Sequence, residues 1–279
     1  MNLELFKKID ESLVRMQSSE PTWVKRREEP DFKVSVHGDN GPTMLLLHGL
    51  FGAMSNWDGV LPLFSQYTKA HALSFPLLTA PRADVGVKTL AAYVEYYIRS
   101  RNLGKVILCG NSLGGHVAMR LCLSSPELVD SLVLAGPSGL YEHTVDSLPI
   151  RPNRQFIKDH MGRVFYNAQF ITEEAVQEIL SIISKRGNHL NLIQAARTAK
   201  KDNLLQYLKN IQVPTLLLWG EEDEVTTMDV ARIFNQNIPN STLVSRSQCG
   251  HAPMIEYPEW FSEEVHKFLA ARSELYKNG

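Results

Sequence analysis

The chain has 279 residues, of which 44% are hydrophobic and 21% charged, a composition that excludes a collagen-like, coiled-coil or disordered protein. Lysine plus arginine (29) nearly balances aspartate plus glutamate (30), so the formal net charge is −1 and no global charge favours nucleic acid or an anionic membrane. The three cysteines have no C-x-x-C spacing, which argues against a disulfide framework or a structural zinc site.

Neither export nor membrane insertion is indicated by the sequence. The first 17 residues carry charges throughout and lack the apolar core of a signal peptide. The densest apolar stretch, residues 44–54, is interrupted by His48 and two glycines, and it is far shorter than the ~20 residues that cross a bilayer. We therefore expect a cytoplasmic protein without a membrane span.

The first predicted element is an amphipathic helix over residues 3–16, where apolar side chains recur at helical spacing. Short apolar runs that end in glycine or proline then predict buried strands. These runs lie at residues 44–47, 106–109, 132–135 and 215–219, and two further strands are expected near residues 70–75 and at 242–244. Helical stretches separate them, among them residues 90–101 and 115–123. This order predicts an α/β fold with a doubly wound, mostly parallel sheet.

The β-α rhythm stops in the second quarter of the chain and resumes near the strand at 215–219. In between, Thr172 precedes two glutamates and an apolar stripe at helical spacing, which is a signal for the start of a helix. We expect residues 137–212 to form a helical cap insertion over the carboxyl ends of the strands, where open α/β sheets bind ligands. Residues 1–136 and 213–279 then form the core domain.

Ser112 lies in the motif Gly110-Asn111-Ser112-Leu113-Gly114-Gly115, directly between a predicted strand and a predicted helix. A G-x-S-x-G motif in this context is typical of a tight strand-to-helix turn that lifts the serine hydroxyl above the sheet. The motif predicts that Ser112 is a nucleophile, and an ordinary turn serine is the alternative.

A serine hydroxyl needs a histidine to accept its proton and a carboxylate to orient that histidine. Four acidic residues, 221–224, follow a predicted strand and reach the same sheet edge as Ser112. His251 follows the last predicted strand, in a loop at that edge. The candidate order along the chain is therefore Ser112, one of these carboxylates, and His251.

The motifs together resemble those of the α/β-hydrolase superfamily, over roughly residues 32–269. They are the His48-Gly49 step, the elbow at Ser112, the segment 214–223, and Gly250-His251 followed by Glu256-Tyr257-Pro258. The triad of this family runs Ser, Asp/Glu, His. Its acid commonly stands third after the glycine that ends a strand, so the resemblance selects Asp223.

The resemblance also implies an oxyanion hole formed by two backbone N–H groups. One belongs to Leu113, immediately after the nucleophile. The other belongs to Leu50, with Phe51 as the second choice. His48 comes too early in the chain to be the base of the family's triad.

The sequence gives weaker evidence for the roles of other side chains near these motifs. We expect apolar residues to line a substrate pocket: Phe51, Trp57, Tyr141 and Met161. His116, on the first turn after the elbow, is interpreted as a packing or polar contact. His143, His160 and His189 lie in the insertion at irregular spacing, which does not predict a metal site.

The leading hypothesis is a serine hydrolase that cleaves a small, largely apolar ester through an acyl-enzyme, without cofactor or metal. Its partner is a small-molecule substrate, and the oligomeric state is not predicted. The elbow is also similar to that of the meta-cleavage-product hydrolases, which cleave a carbon–carbon bond. That subfamily usually has tryptophan after the catalytic histidine, where this chain has Ala252. A non-catalytic ligand receptor on the same fold is the third alternative.

Overall fold

The computed structural model describes residues 33–140 and 153–277, so the predicted helix over residues 3–16 lies outside the described residues. The strands of its sheet are β1 (Lys33–His37), β2 (Thr43–Leu47), β3 (Lys69–Ser74), β4 (Val106–Asn111), β5 (Val129–Ala135), β6 (Thr215–Gly220) and β7 (Ser241–Arg246). They follow the order β1-β3-β2-β4-β5-β6-β7. All neighbours pair in parallel except β1 with β3, which confirms the predicted mostly parallel sheet.

The helices of the described residues lie between these strands or follow the last of them. They are α1 (Leu61–Phe64), α2 (Val87–Ser100), α3 (Leu113–Ser124), α4 (Arg154–Val164), α5 (Glu173–Ile183), α6 (Arg186–Lys201), α7 (Met228–Asn237), α8 (Pro253–Glu256) and α9 (Pro258–Lys277). The two helices predicted beside the elbow strand are present as α2 and α3. Both begin two or three residues earlier than expected, and α3 begins directly after Ser112.

Successive side chains of the central strands enter two different cores. Leu45 and Leu47 of β2 pack into one cluster with residues of α2 and α3. Met44 and Leu46 pack into a second cluster with Phe261 and other residues of α1 and α9. Because side chains alternate across a strand, the two clusters lie on opposite faces of the sheet, and burial of both faces explains the continuous apolar runs.

Between β5 and β6, the described residues 153–214 form helices and no strand. Thr172 caps α5, since its hydroxyl accepts a hydrogen bond of 3.2 Å from the amide of Ala175. Asp202, directly after α6, accepts hydrogen bonds of 2.5 and 2.6 Å from Arg120 of α3. This bidentate ion pair anchors the end of the helical segment to the helix that follows the elbow. In the described part of the chain, no helix has the length and apolarity to cross a membrane.

Candidate active site

Ser112 occupies the turn between β4 and α3, with φ 52° and ψ −117°, in a region that non-glycine residues rarely adopt. Its amide donates a hydrogen bond of 3.1 Å to the carbonyl oxygen of Ala135. A Cβ at Gly114 would lie 2.0 Å from the carbonyl oxygen of Leu47, so only glycine fits there. The neighbouring strands thus hold the serine in a strained turn at the sheet edge.

Asp223 and His251 meet at this edge, from the loops that follow β6 and β7. Oδ2 of Asp223 lies 2.8 Å from Nδ1 of His251. Because a carboxylate can only accept, Nδ1 donates, and Nε2 becomes the basic nitrogen of the ring. The other oxygen, Oδ1, accepts hydrogen bonds from the amides of Val225 (2.8 Å) and Thr226 (2.9 Å), which fixes the carboxylate.

Two further residues support this pair, and no sequence motif predicted either of them. The hydroxyl of Thr226 lies 3.0 Å from Oδ2 of Asp223 and 3.2 Å from the carbonyl oxygen of Gly136. Gly136 has φ 47°, and a Cβ there would lie 2.9 Å from both Oδ2 of Asp223 and Nδ1 of His251. The chain therefore passes against the carboxylate–imidazole pair at a position that has room only for glycine.

The loop that carries His251 is held from two sides. Nδ2 of Asn111, beside the elbow serine, donates a hydrogen bond of 3.0 Å to the carbonyl oxygen of His251. The amide of His251 donates a hydrogen bond of 2.7 Å to the carbonyl oxygen of Val164, the last residue of α4. The position of the imidazole thus depends on both the elbow and the helical segment.

Glu256 holds the same loop through a buried carboxylate. Its Oε1 accepts a hydrogen bond of 2.7 Å from the amide of Gly250, and its Oε2 accepts one of 3.0 Å from the amide of Asn167. Burial raises the pKa of this carboxyl group, although these backbone hydrogen bonds oppose the shift. Glu256 was noted in the sequence as part of a family motif without a role.

The turn after β2 passes beside the serine. The amide of Gly52 donates a hydrogen bond of 3.1 Å to the carbonyl oxygen of Gly49, which closes a turn with Leu50 and Phe51 at its corners. A Cβ at Gly49 would lie 3.3 Å from Cβ of Ser112. The turn therefore presents backbone next to the elbow, and Leu113 stands on the other side of Ser112 as the first residue of α3.

His48 has a structural role beneath this turn. Its Nδ1 donates a hydrogen bond of 2.7 Å to the carbonyl oxygen of Gly49, and its Nε2 accepts one of 2.9 Å from the amide of Phe75. The ring is 2% exposed, and burial lowers its pKa to about 4. Both nitrogens are thus engaged by the backbone in the neutral ring, as expected for a histidine outside the triad.

A cavity of about 430 Å³ joins these parts, and Ser112, His251 and Leu50 line it. The helical segment contributes mostly apolar side chains to its wall: Met161, Val164, Phe165, Phe170, Ala175, Ile179, Ile182, Ile183, Leu192 and Ala196. Among the described lining residues there is one acidic side chain, Glu178, and no lysine or arginine. The described wall thus suits an uncharged, largely apolar ligand.

The four predicted pocket residues divide into three groups. Phe51 and Met161 line the cavity. Tyr141 lies outside the described residues. The expectation for Trp57 was wrong, because this side chain is fully buried in the core, with its ring centroid 6.4 Å from that of Phe261.

His116 contacts polar residues, as interpreted from the sequence. Its Nε2 lies 3.2 Å from Oδ2 of Asp202, and its Nδ1 lies 3.3 Å from the hydroxyl of Ser138. The ring is fully buried and is not among the residues that line the cavity. His116 therefore belongs to the anchor between α3 and the end of the helical segment.

Comparison with known proteins agrees with this architecture. The family model described as alpha/beta hydrolase fold matches residues 42–258. A 2-hydroxy-6-oxononadienedioate/2-hydroxy-6-oxononatrienedioate hydrolase of Burkholderia vietnamiensis is 31% identical over 205 residues, covering 68% of this chain and 70% of that protein. A pimeloyl-(acyl-carrier protein) methyl ester esterase of Nitrosomonas europaea is 30% identical over 239 residues, covering 80% of this chain and 93% of that protein.

Solved structures show the same fold. An alpha/beta hydrolase enzyme from a lagoon-sediment metagenome superposes with a TM-score of 0.72 at 30% identity, covering 88% of this chain and 98% of that one. A meta-cleavage product hydrolase from Pseudomonas fluorescens gives a TM-score of 0.76 at 19% identity, covering 86% of this chain and 94% of that one. The chain is therefore a hydrolase that belongs to the alpha/beta hydrolase family.

Proposed function

We propose that the protein hydrolyses an uncharged carboxylic ester with a largely apolar acyl chain, with Ser112 as the nucleophile. The observation that carries this proposal is the geometry around His251. Its Nδ1 lies 2.8 Å from Oδ2 of Asp223, and it lines the same largely apolar cavity as Ser112, a serine in a strained strand-to-helix turn. An oriented histidine and a serine on such a turn are what acyl transfer requires.

The chemistry follows in two half-reactions. Nε2 of His251 accepts the proton of Ser112 as Oγ attacks the ester carbonyl, and the N–H groups of Leu50 and Leu113 stabilise the charge on the carbonyl oxygen. The imidazolium, stabilised by Asp223, gives its proton to the departing alcohol and leaves an acyl-enzyme. Water then attacks the acyl group in the same way, and Ser112 regains its proton. These steps need no cofactor or metal.

In this proposal the helical segment acts as a cap. Residues 137–212 form the cap, and residues 1–136 together with 213–279 form the core domain. Support comes from α4, α5 and α6, which supply eight apolar side chains to the wall, while β2 and β4 lead into the turns beside Ser112. The cap would determine which acyl chain fits, because catalytic and substrate-selecting side chains come from different segments.

Carbon–carbon bond hydrolysis is the second candidate, and the relative from Burkholderia vietnamiensis favours it. The substrates in the name of that relative are dioates, which carry two carboxylates. The described wall of this cavity has one acidic residue, Glu178, and no lysine or arginine. It would therefore repel a dianionic substrate, because it has no cationic side chain to form an ion pair with the carboxylates. The relative from Nitrosomonas europaea, named as a methyl ester esterase, supports the ester.

A p-nitrophenyl ester series of increasing acyl length tests the proposal on wild type, Ser112→Ala and Ser124→Ala. Ser124 lies at the far end of α3 and bonds to the carbonyl of Leu121, so its variant is the matched control. We expect wild type and Ser124→Ala to turn over alike, and Ser112→Ala to be slower by at least about a thousandfold.

Other outcomes select the alternatives. Full activity of Ser112→Ala would exclude Ser112 as the nucleophile. Consumption of a coloured ring-fission product without ester hydrolysis would establish the carbon–carbon bond reaction. If neither substrate is consumed and a fluorophosphonate probe does not label Ser112, a non-catalytic receptor becomes the favoured alternative.

A further inference from the structure

His160, on α4, lies in the wall of the cavity and has no part in the mechanism above. Its ring meets Phe51 edge to face, with centroids 5.0 Å apart and planes at 69°. It also stacks on Phe156, with centroids 6.2 Å apart and planes at 19°. Contacts with two aromatic rings restrain the imidazole in one orientation.

His160 lies close to two parts of the proposed active site, the turn at Leu50 and the loop that carries His251. Phe51, which contacts His160, directly follows Leu50. In the proposed mechanism, the amide of Leu50 stabilises the negative charge on the ester carbonyl oxygen. Val164, one turn further along α4, accepts the hydrogen bond from the amide of His251. Residues four apart lie on the same face of a helix, so His160 stands between the turn at Leu50 and the loop of His251.

His160 is also chemically unusual in this wall. Burial lowers its pKa to about 4, and the charges of His251 and Arg163 contribute in the same direction, so the ring is neutral near pH 7. A neutral imidazole offers one donor and one acceptor. No described residue forms a hydrogen bond with either ring nitrogen. The other side chains that α4 to α6 place in the wall are apolar, apart from Glu178.

We propose that His160 is a specificity-determining residue that hydrogen-bonds an uncharged hydroxyl or carbonyl group of the substrate close to the scissile ester. The substrate class is then an ester whose acyl chain has one such group near the carbonyl, as in a 3-hydroxyacyl ester, and is otherwise apolar. This inference rests on the proposed ester hydrolysis and adds the recognition of the acyl group.

The test compares kcat/KM for p-nitrophenyl butyrate and p-nitrophenyl 3-hydroxybutyrate in four proteins. They are wild type, His160→Phe, which keeps the aromatic contacts, His160→Gln, which keeps hydrogen-bonding atoms, and Ser124→Ala, the control at the far end of α3. We expect wild type and Ser124→Ala to prefer the hydroxylated ester by about tenfold, the value of one hydrogen bond. His160→Phe should lose this preference through a lower kcat/KM for the hydroxylated ester, and His160→Gln should retain part of it.

The outcomes separate this inference from the proposed function. If His160→Phe keeps the preference, or if wild type hydrolyses the plain ester and shows no preference, the role of His160 is overturned while ester hydrolysis stands. If wild type hydrolyses neither ester, the proposed function fails and the inference fails with it. A larger fall in kcat/KM for the hydroxylated ester than for the plain ester in His160→Phe supports the assignment.

Discussion

One carboxylate oxygen of Glu256 accepts a hydrogen bond of 2.7 Å from the amide of Gly250, the residue before His251. The second oxygen accepts from the amide of Asn167, which follows the end of α4. A single buried side chain therefore connects the histidine loop to the helical segment. The amide of His251 itself donates a hydrogen bond to the carbonyl oxygen of Val164, so the proposed base and the helical segment are positioned together.

Glu256→Gln should lower both stability and activity, because the amide nitrogen of glutamine cannot accept a hydrogen bond and leaves one backbone N–H without an acceptor. We expect a loss of about 1–3 kcal/mol in the free energy of unfolding. We also expect kcat to fall on the order of tenfold, through displacement of the imidazole.

Urea unfolding and p-nitrophenyl ester kinetics measure the two effects of Glu256→Gln. Glu222→Gln is the matched control, because exposed Glu222 accepts a hydrogen bond of 3.0 Å from the amide of Cys249 in the same loop, where water can replace it. Equal kcat values for the two variants would show that Glu256 does not position the imidazole.

The sequence predicted six of the seven strands, and four of them are short apolar runs that are buried on both faces of the sheet. The missing strand, β1, has no such run. It begins with Lys33, alternates in polarity, pairs only with β3, and leaves Val36 51% exposed. Edge strands of this kind have no strong apolar signal in the sequence.

The candidate triad could be predicted from sequence, because its members follow predicted strands whose carboxyl ends share one edge and the family resemblance selects Asp223 from four acidic residues. The contacts that support the Asp223–His251 pair could not be predicted. Thr226 and Gly136 meet the Asp223–His251 pair through loop conformations that no periodicity encodes. Trp57 was misplaced for the same reason, since a short turn over Met54–Trp57 directs its ring into the core.

Gly136→Ala should disrupt the proposed triad directly. The new Cβ would lie 2.9 Å from each of the two atoms that form the Asp223–His251 hydrogen bond, in a backbone with φ 47°. We expect kcat for ester hydrolysis to fall roughly tenfold to a hundredfold, because the imidazole must move.

Gly139→Ala separates backbone strain from this effect on the triad. Gly139 also has positive φ, 113°, but its Cβ would meet the ring of His116 at 3.2 Å. We expect both variants to lose stability by about 1 kcal/mol or more. Only Gly136→Ala should lose kcat in steady-state kinetics at saturating ester. Unchanged kcat in Gly136→Ala would mean that the pair tolerates the contact or does not act in catalysis.

His48 should make folding sensitive to mild acid. The pKa of its neutral, buried ring is about 4, against 6.5 for the unfolded chain, so the unfolded state binds a proton first as the pH falls. The free energy of unfolding contributed by His48 is therefore complete above pH 6.5 and is lost as the pH falls towards 4. The full contribution of His48 to the free energy of unfolding is about 3 kcal/mol, and about 2 kcal/mol of it is lost by pH 5.

His48→Gln isolates this contribution, because glutamine can accept the hydrogen bond from the amide of Phe75 and does not titrate. The variant should be less stable than wild type at pH 7, since it replaces a ring that satisfies Gly49 and Phe75 together. Urea unfolding at pH 7 and pH 5 should show the difference between the two proteins shrinking by about 2 kcal/mol at the lower pH. The other histidines titrate in both proteins and cancel, so a constant difference between the two pH values would show that His48 is not held neutral by burial.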